Sequence, residues 1–296
     1  SSWYFTKETQ STLETNLAVL NDFCNEISKV ELVDGIYLKR NDLITFGDCN
    51  GGKAQSAAKL LVNAVSMGYK KVVTTGSRLS PQCEIVSNLC EHLGIECHLF
   101  MPDGKDTTVI ENIKQNQHSI LHRPLKQGSF QNVLCSYADK FAKEHQDVYN
   151  IPFGMQNQVN VDTIAQQCQN IPEDVKRIVV PVGSGMSLCG ILQGLVNYNR
   201  TDIEVLGIIT GGKDCFKIVN TFKPKTPKIQ YILEPCMPGL TPSQRYGHSV
   251  NATIGNVVLD SISPLFTSRI TDLLILDNIN IKLIINLVIL SFVIMC

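Results

Sequence analysis

The sequence lacks several features, and each absence closes a class of function. It has no surplus of positive charge: 26 Lys and Arg stand against 27 Asp and Glu, with the signs interspersed. A protein that grips a nucleic-acid backbone needs a basic face, so a nucleic-acid polymer is not the expected ligand. A small anionic substrate held by one loop remains open. No Cys-x-x-Cys occurs, and the eleven cysteines fit no zinc-ligand spacing, so no metal is expected. No Gly-Lys-Ser/Thr follows a glycine loop, which excludes a Walker nucleotide site. No secretory signal opens the chain and the cysteine count is odd, which together favour a reduced, cytoplasmic setting. The Asn-x-Ser/Thr matches at Asn199 and Asn251 are then expected to be chance. A membrane span needs about 20 uninterrupted apolar residues. The Ile/Leu-rich tail is broken by Asp277, Asn278, Asn280, Lys282 and Asn286, so no membrane contact is expected.

What is present is a globular chain of 296 residues, long enough for two modest domains or for one large α/β unit with a subdomain. Hydrophobic residues at 44% and charged residues at 18% place it outside the disordered range. Before Asp34 the chain reads as one helix striped by Leu13, Leu17, Leu20 and Phe23. From there strand and helix signals alternate. Strands are expected at 36–40, 71–75, 97–101, 119–122, 148–151, 177–182, 204–210 and 229–233. Helices are expected at 53–68, 82–93, 107–115, 130–144, 161–169, 187–198 and 214–221, with a Gly/Asn/Gln loop at 154–160. Such alternation with apolar strands means mostly parallel sheets covered by helices on both faces. Cys83 and Cys90 on one helix and Cys97 on the next strand read as small core hydrophobes. At Asp260 the composition changes abruptly; residues 261–296 form an anomalous hydrophobic tail that reads as a buried C-terminal helix, a weak tail anchor or, the favoured expectation, an out-of-frame extension.

Three segments carry chemistry. In Arg177-Ile-Val-Val-Pro-Val-Gly183-Ser184-Gly185-Met186-Ser187 a buried strand enters a Gly/Ser loop that opens a helix. Such a loop aims successive backbone N–H groups at one point, and the helix N-terminus adds partial positive charge, so phosphate is the natural guest. The Ser184 and Ser187 hydroxyls can add donors. A tight turn needing glycine only for its geometry is the plain alternative, and Leu188 breaks the dinucleotide G-x-G-x-x-G pattern. In Asp48-Cys-Asn-Gly-Gly52-Lys53 a lysine sits at a glycine-rich helix start, where the dipole disfavours a cation and so favours a neutral, nucleophilic amine. A solvated loop lysine is the alternative. In Thr74-Thr-Gly76-Ser77-Arg78-Leu79-Ser80-Pro81-Gln82 a strand again enters a helix through small polar residues. Ser80 there is either an N-cap or a hydroxyl that faces a ligand.

Lys-Arg-Asn-Asp-Leu (39–43), Gly-Gly-Lys (51–53), Thr-Thr-Gly-Ser-x-x-Ser (74–80) and Val-Gly-Ser-Gly-Met-Ser (182–187) occur in that order, and Gly76 follows Lys53 by 23 positions. This pattern resembles fold-type II pyridoxal-phosphate (PLP) enzymes, in the branch of 1-aminocyclopropane-1-carboxylate (ACC) deaminase and D-cysteine desulfhydrase, from about Ile36 to Asp260. The resemblance implies a two-domain α/β fold like that of tryptophan synthase β. Residues 1–53 and 153–260 would form the large domain and 54–152 the small one, with PLP in the cleft. It implies that Lys53 holds PLP as a Schiff base and exchanges protons at Cα, and that Ser80 is the catalytic hydroxyl, contacting the substrate carboxylate or assisting the attack. Gly183, Ser184, Gly185, Met186 and Ser187 would cup the phosphate. Ser77, Arg78 and Gln82 would face the substrate, and a homodimer is implied. This sequence departs from the pattern at Gly52 (family Asn), Pro81 (family Asn, a partner of the PLP ring oxygen) and Met186 (family Gly). Tyr231 and Tyr246 are candidates for a substrate-site tyrosine.

The expected function is that of a PLP-dependent lyase or deaminase acting at Cα of a small amino acid through an external aldimine. One alternative, motivated by Ser80-Pro81-Gln82, is a diverged viral-type enzyme that modifies an amino-acid-bearing nucleotide or nucleobase, for instance by decarboxylating a glycyl-thymidine-type group. Another is a truncated, non-catalytic homologue.

Overall fold

The computed structural model describes residues 7–125, 131–209, 214–225 and 229–235. In chain order these form α1 (Lys7–Asn25), β1 (Val30–Val33), β2 (Ile36–Lys39), β3 (Thr45–Phe46), β4 (Cys49–Asn50), α2 (Gly51–Ser66), β5 (Lys71–Thr75), α3 (Pro81–Leu93), β6 (Glu96–Phe100), α4 (Thr108–Gln115), β7 (Ser119–His122), α5 (Gln131–Glu144), β8 (Val148–Asn150), α6 (Gln158–Ala165), β9 (Arg177–Val182), α7 (Met186–Asn197), β10 (Glu204–Ile209), α8 (Asp214–Phe222) and β11 (Tyr231–Pro235). The mixed α/β reading holds, and each long expected element is found within a few residues of its place.

Two expectations are corrected. The chain before Asp34 is not one helix: α1 stops at Asn25 and β1 pairs antiparallel with β2, Val33 opposite Ile36. Asp34 (φ 50°) and Gly35 (φ 80°) sit between them in the left-handed region, the conformation a two-residue hairpin turn needs. Residues 154–160 are not a plain loop either. A 3-10 turn spans Phe153–Met155, and α6 begins at Gln158.

The described chain divides into two compact units. One contains residues up to Glu26 together with Ile44–Thr163, and the other Ile27–Leu43 with residues from Ile164 onward. These boundaries differ from those implied by resemblance. Leu20, Phe23 and Cys24 of α1 bury themselves with Ala54, Ala57, Leu60 and Leu61 of α2, so the opening helix belongs with the first unit.

The first unit is built on a four-stranded parallel sheet ordered β7-β6-β5-β8. Its two central strands bury all but their first residue, with Val72 and Val73 on β5 and Cys97 and Leu99 on β6 among the core. The chain runs outward from β5 through β6 to β7, then returns to place β8 on the other side of β5. That reversal is a topological switch point, where a crevice opens beyond the carboxyl ends of the strands. The segment leaving β5 there is Gly76–Ser80. The second unit has the parallel sheet β11-β10-β9 and the β1–β2 hairpin.

Candidate active site

Ser80 closes the loop that leaves β5. Its hydroxyl accepts the Cys83 N–H at 3.4 Å, and Pro81 takes the first helical position of α3, where its missing N–H costs nothing. The side chain folds back into the turn: a methyl group on Gly76 would lie 2.3 Å from Ser80 Oγ and 2.7 Å from Cys83 Sγ. Only glycine therefore fits at 76. Ser80 is 8% exposed, so its cap role is realised, and Pro81 has a local reason of its own.

Gln82 is tied at both amide hydrogens. Nε2 donates to Thr74 Oγ1 at 2.9 Å and to the Pro152 carbonyl at 2.9 Å, which bridges β5 to the chain leaving β8. Thr74 in turn donates to the Ile151 carbonyl. The Ser77 hydroxyl accepts the Leu79 N–H at 3.3 Å. Arg78, half-buried, donates from Nη1 to the Lys105 carbonyl, and its own carbonyl accepts the Thr107 hydroxyl. The structure thus brings Ser77, Arg78, Ser80 and Gln82 together at the switch point of the first unit.

Lys53 lies in the same unit as the third residue of α2, with its side chain exposed. Asn50 caps that helix without a side-chain hydrogen bond. Among the described residues the Lys53 side chain enters no ion pair or hydrogen bond. An exposed, uncommitted amine at a helix start suits condensation with an aldehyde.

Gly183–Ser187 lies in the second unit, between the end of β9 and the first turn of α7. Gly185 is the N-cap of α7 with φ 100°, and no side chain caps the helix. A methyl group at Gly185 would stand 2.8 Å from Val219 Cγ2 and 3.2 Å from the Cys215 carbonyl, so α8 closes that side. A methyl group at Gly183 would meet nothing within 4 Å. Gly183, Ser184 and Ser187 are exposed while Gly185 and Met186 are buried; Ser184 Oγ accepts the Met186 N–H at 3.4 Å and the Gly185 carbonyl accepts the Cys189 N–H at 3.1 Å. An open glycine edge with an uncapped helix start fits a phosphate. Taken each within its own unit, the Gly183–Ser187 loop suits a phosphate group and Lys53 suits an aldehyde carbon.

The Lys39–Leu43 motif has a structural task within the second unit. Lys39 Nζ donates to the Ser28 carbonyl at 3.0 Å and Asn170 Oδ1 at 2.6 Å, and Asn41 Oδ1 accepts the Ser28 hydroxyl at 2.7 Å. Burial pushes the Lys39 amine down to about 8. Arg40 pairs with Glu31 and Asp42.

One polar chain escaped sequence reasoning. His98 is hydrogen-bonded through Nε2 to Glu96 at 2.6 Å and through Nδ1 to His122 Nε2 at 2.9 Å, under Phe141 of α5. Burial lowers both imidazoles from their usual range; Glu96 opposes this at His98, and His98 reinforces it at His122. The i, i+2 spacing of Glu96 and His98 on a strand was the available signal. Of the described cysteines only Cys135 is less than buried, as small hydrophobes would be. Among the described residues no group of three His, Cys, Asp or Glu could hold a metal, and no helix is long and apolar enough to cross a membrane. Tyr231 lies on β11, its hydroxyl accepting from Lys223 Nζ at 3.0 Å. Tyr246 and residues 261–296 lie outside the described residues.

Comparison with known proteins adds the following. The profile of the family described as pyridoxal-phosphate dependent enzymes matches residues 23–259. A Pyrococcus horikoshii protein carrying the provisional name 1-aminocyclopropane-1-carboxylate deaminase is 26% identical over 209 residues, 67% of this chain and 61% of its own. A similarly named Schizosaccharomyces pombe protein is 26% identical over 198 residues, 58% of this chain and 56% of its own. The chain thus spans about six-tenths of the length of these relatives. Among solved structures, an ACC deaminase homologue matches with a TM-score of 0.58 at 20% identity, over 83% of this chain and 91% of its own. Escherichia coli diaminopropionate ammonia lyase matches with a TM-score of 0.53 at 12% identity, over 81% and 79%. Likeness at these identities speaks for the fold.

Proposed function

Because the chain belongs to the family of pyridoxal-phosphate dependent enzymes, we propose that it is a lyase or deaminase acting at the Cα of a small amino acid. The observation that carries this reading is the uncapped glycine start of α7, with Gly183, Ser184 and Ser187 open beside it. Lys53, uncommitted at the start of α2, supports it from the first unit.

In this reading the N–H groups that open α7, with the Ser184 and Ser187 hydroxyls, hold the cofactor phosphate. Lys53 Nζ would hold the cofactor at its aldehyde carbon, and the same amine would take and return a proton at the substrate Cα. When bound, PLP withdraws electrons from that carbon and so weakens its bonds. The Gly76–Ser80 turn faces the substrate, kept in shape by the Ser80 cap and by the Gln82 bridge from Thr74 to Pro152. Pro81 needs no explanation beyond its helix position, so Ser80-Pro81-Gln82 lends no weight to a nucleotide substrate.

The test is reconstitution with PLP followed by visible absorbance and an ammonia-release assay on ACC, D-cysteine and serine. A visible band that disappears in Lys53→Ala, with ammonia released from at least one of these amino acids, is expected. A wild-type chain that stays colourless with PLP refutes the reading.

A further inference from the structure

The loop that leaves β5 holds four polar side chains, and three of them have work inside the unit. Ser80 Oγ accepts the Cys83 N–H and is turned toward Gly76, Ser77 Oγ accepts the Leu79 N–H, and Gln82 spends both amide hydrogens on Thr74 and Pro152. Arg78 is different. Of its five N–H donors, one reaches a described acceptor, the Lys105 carbonyl, and among the described residues no carboxylate pairs with it.

The acids closest along this edge are already matched. Asp106 pairs with Arg123 and Lys114, and Asp103 lies 3.6 Å from Arg123. The exposed Lys105 enters no ion pair among the described residues either. The guanidinium is also held in place: a methyl group on Gly104 would lie 3.0 Å from its Nη1 and 3.1 Å from its Cζ. A fixed, half-buried guanidinium with free donors and no counter-charge matches a carboxylate in charge and in fork geometry. It lies against Gly104 and Lys105 in the turn that follows β6, beside the carboxyl ends of β5 and β6.

We propose that Arg78 binds a carboxylate of the amino-acid substrate and so determines specificity, while Ser80 shapes the loop that presents it. This rests on the PLP reading above. The carboxylate could be the one on Cα or one on the substrate side chain, and the chemistry of recognition is the same.

The test is calorimetric titration of the PLP-loaded full chain with alanine, alaninamide and aspartate, for the wild type, Arg78→Met and Arg78→Lys. Loss of a charge-assisted pair is worth about a 10- to 100-fold rise in Kd. Arg78→Met is expected to weaken alanine by that factor and to leave alaninamide within about twofold, with Arg78→Lys between the two. Weakening of aspartate alone also supports the proposal and assigns the side-chain carboxylate. Thermal unfolding of each variant checks that the loop survives; a folded Arg78→Met protein with unchanged Kd for both acids overturns it. If the wild type takes up no PLP, the functional reading fails and this inference with it. If the wild type loads PLP and binds alanine, failure in the Arg78 variants is failure of this inference alone.

Discussion

Two glycines two residues apart should respond in opposite ways to the same added methyl group. At Gly185, φ is 100° and the methyl would press to 2.8 Å on Val219 Cγ2 and 3.2 Å on the Cys215 carbonyl. Holding alanine in the left-handed region costs about 1–2 kcal/mol, and overpacking a closed site costs about 1–3 kcal/mol more. Gly185→Ala should therefore destabilise the chain by about 2–5 kcal/mol in urea unfolding. At Gly183 the methyl meets nothing within 4 Å and the backbone is outside the left-handed region. Gly183→Ala should change stability by no more than about 0.5 kcal/mol. On the proposed reading the phosphate occupies this open edge, where the methyl would compete with it. Displacing one or two charge-assisted N–H contacts should then weaken PLP binding by about 10- to 100-fold, read by fluorescence titration of the protein. Equal destabilisation by both variants would show that the loop is packed alike on both sides. A Gly183→Ala protein with unaltered PLP affinity would refute the phosphate assignment.

Ser80→Ala removes a helix cap and should cost about 1 kcal/mol in chemical denaturation; a neutral result would contradict the cap geometry. Lys39 is lowered to about 8 in the folded chain by burial, so the fold prefers its neutral form. The stability difference between the wild type and Lys39→Met should therefore shift in favour of the wild type as pH rises from about 8 through the ordinary lysine range, and level off above it. A pH-independent difference would count against burial of that amine. The buried thiols act in the opposite sense. Burial raises Cys24 and Cys49 to about 11 and Cys83, Cys168 and Cys189 to about 12, so their contribution is complete below the unfolded thiol value of 9.0 and is lost as pH climbs toward those figures. His98 and His122 are lowered from 6.5, so their contribution is complete above that value and lost as pH falls below it. Replacing His98 by Gln should flatten the acid limb of the stability–pH curve, and an unchanged limb would exclude the pair.

The long strands were legible from their apolar runs, which on β5 and β6 are buried on both faces. Lys71-Val-Val-Thr-Thr75 and Arg177-Ile-Val-Val-Pro-Val182 need near-continuous apolar runs, and such runs declare themselves without any partner in view. The β1–β2 hairpin was half missed for the converse reason. Val30–Val33 is a four-residue strand with no buried residue, so its periodicity is too weak to stand against a preceding helical stripe, and the Asp34-Gly35 turn was the stronger signal. The order of strands was not legible at all. That β8 returns beside β5 follows from pairings distant in sequence, such as Val73 with Asn150, and this pairing is what puts Gly76–Ser80 at a switch point.

The candidate site divides along the same line between local and non-local information. Gly185 and Pro81 were readable in place, because a left-handed cap and a first-turn proline are local requirements of α7 and α3. Which hydroxyls and amides remain free to meet a ligand depends on the partners that folding supplies. Gln82 is committed by Pro152, 70 residues away, and Arg78 is oriented by Lys105, 27 residues away. A motif therefore marks where a loop stands, while its chemistry is what its partners leave unspent. Of the residues that the sequence pattern named in the loop leaving β5, Ser80 uses its hydroxyl as the acceptor of the helix cap, while Arg78 keeps N–H donors that no described residue takes up. A double variant of Ser80 and Arg78 makes this measurable. If Ser80 acts only through the fold, its Ala substitution should lower stability without further weakening carboxylate binding in the Arg78→Met background, so the two changes should be additive in stability and non-overlapping in affinity.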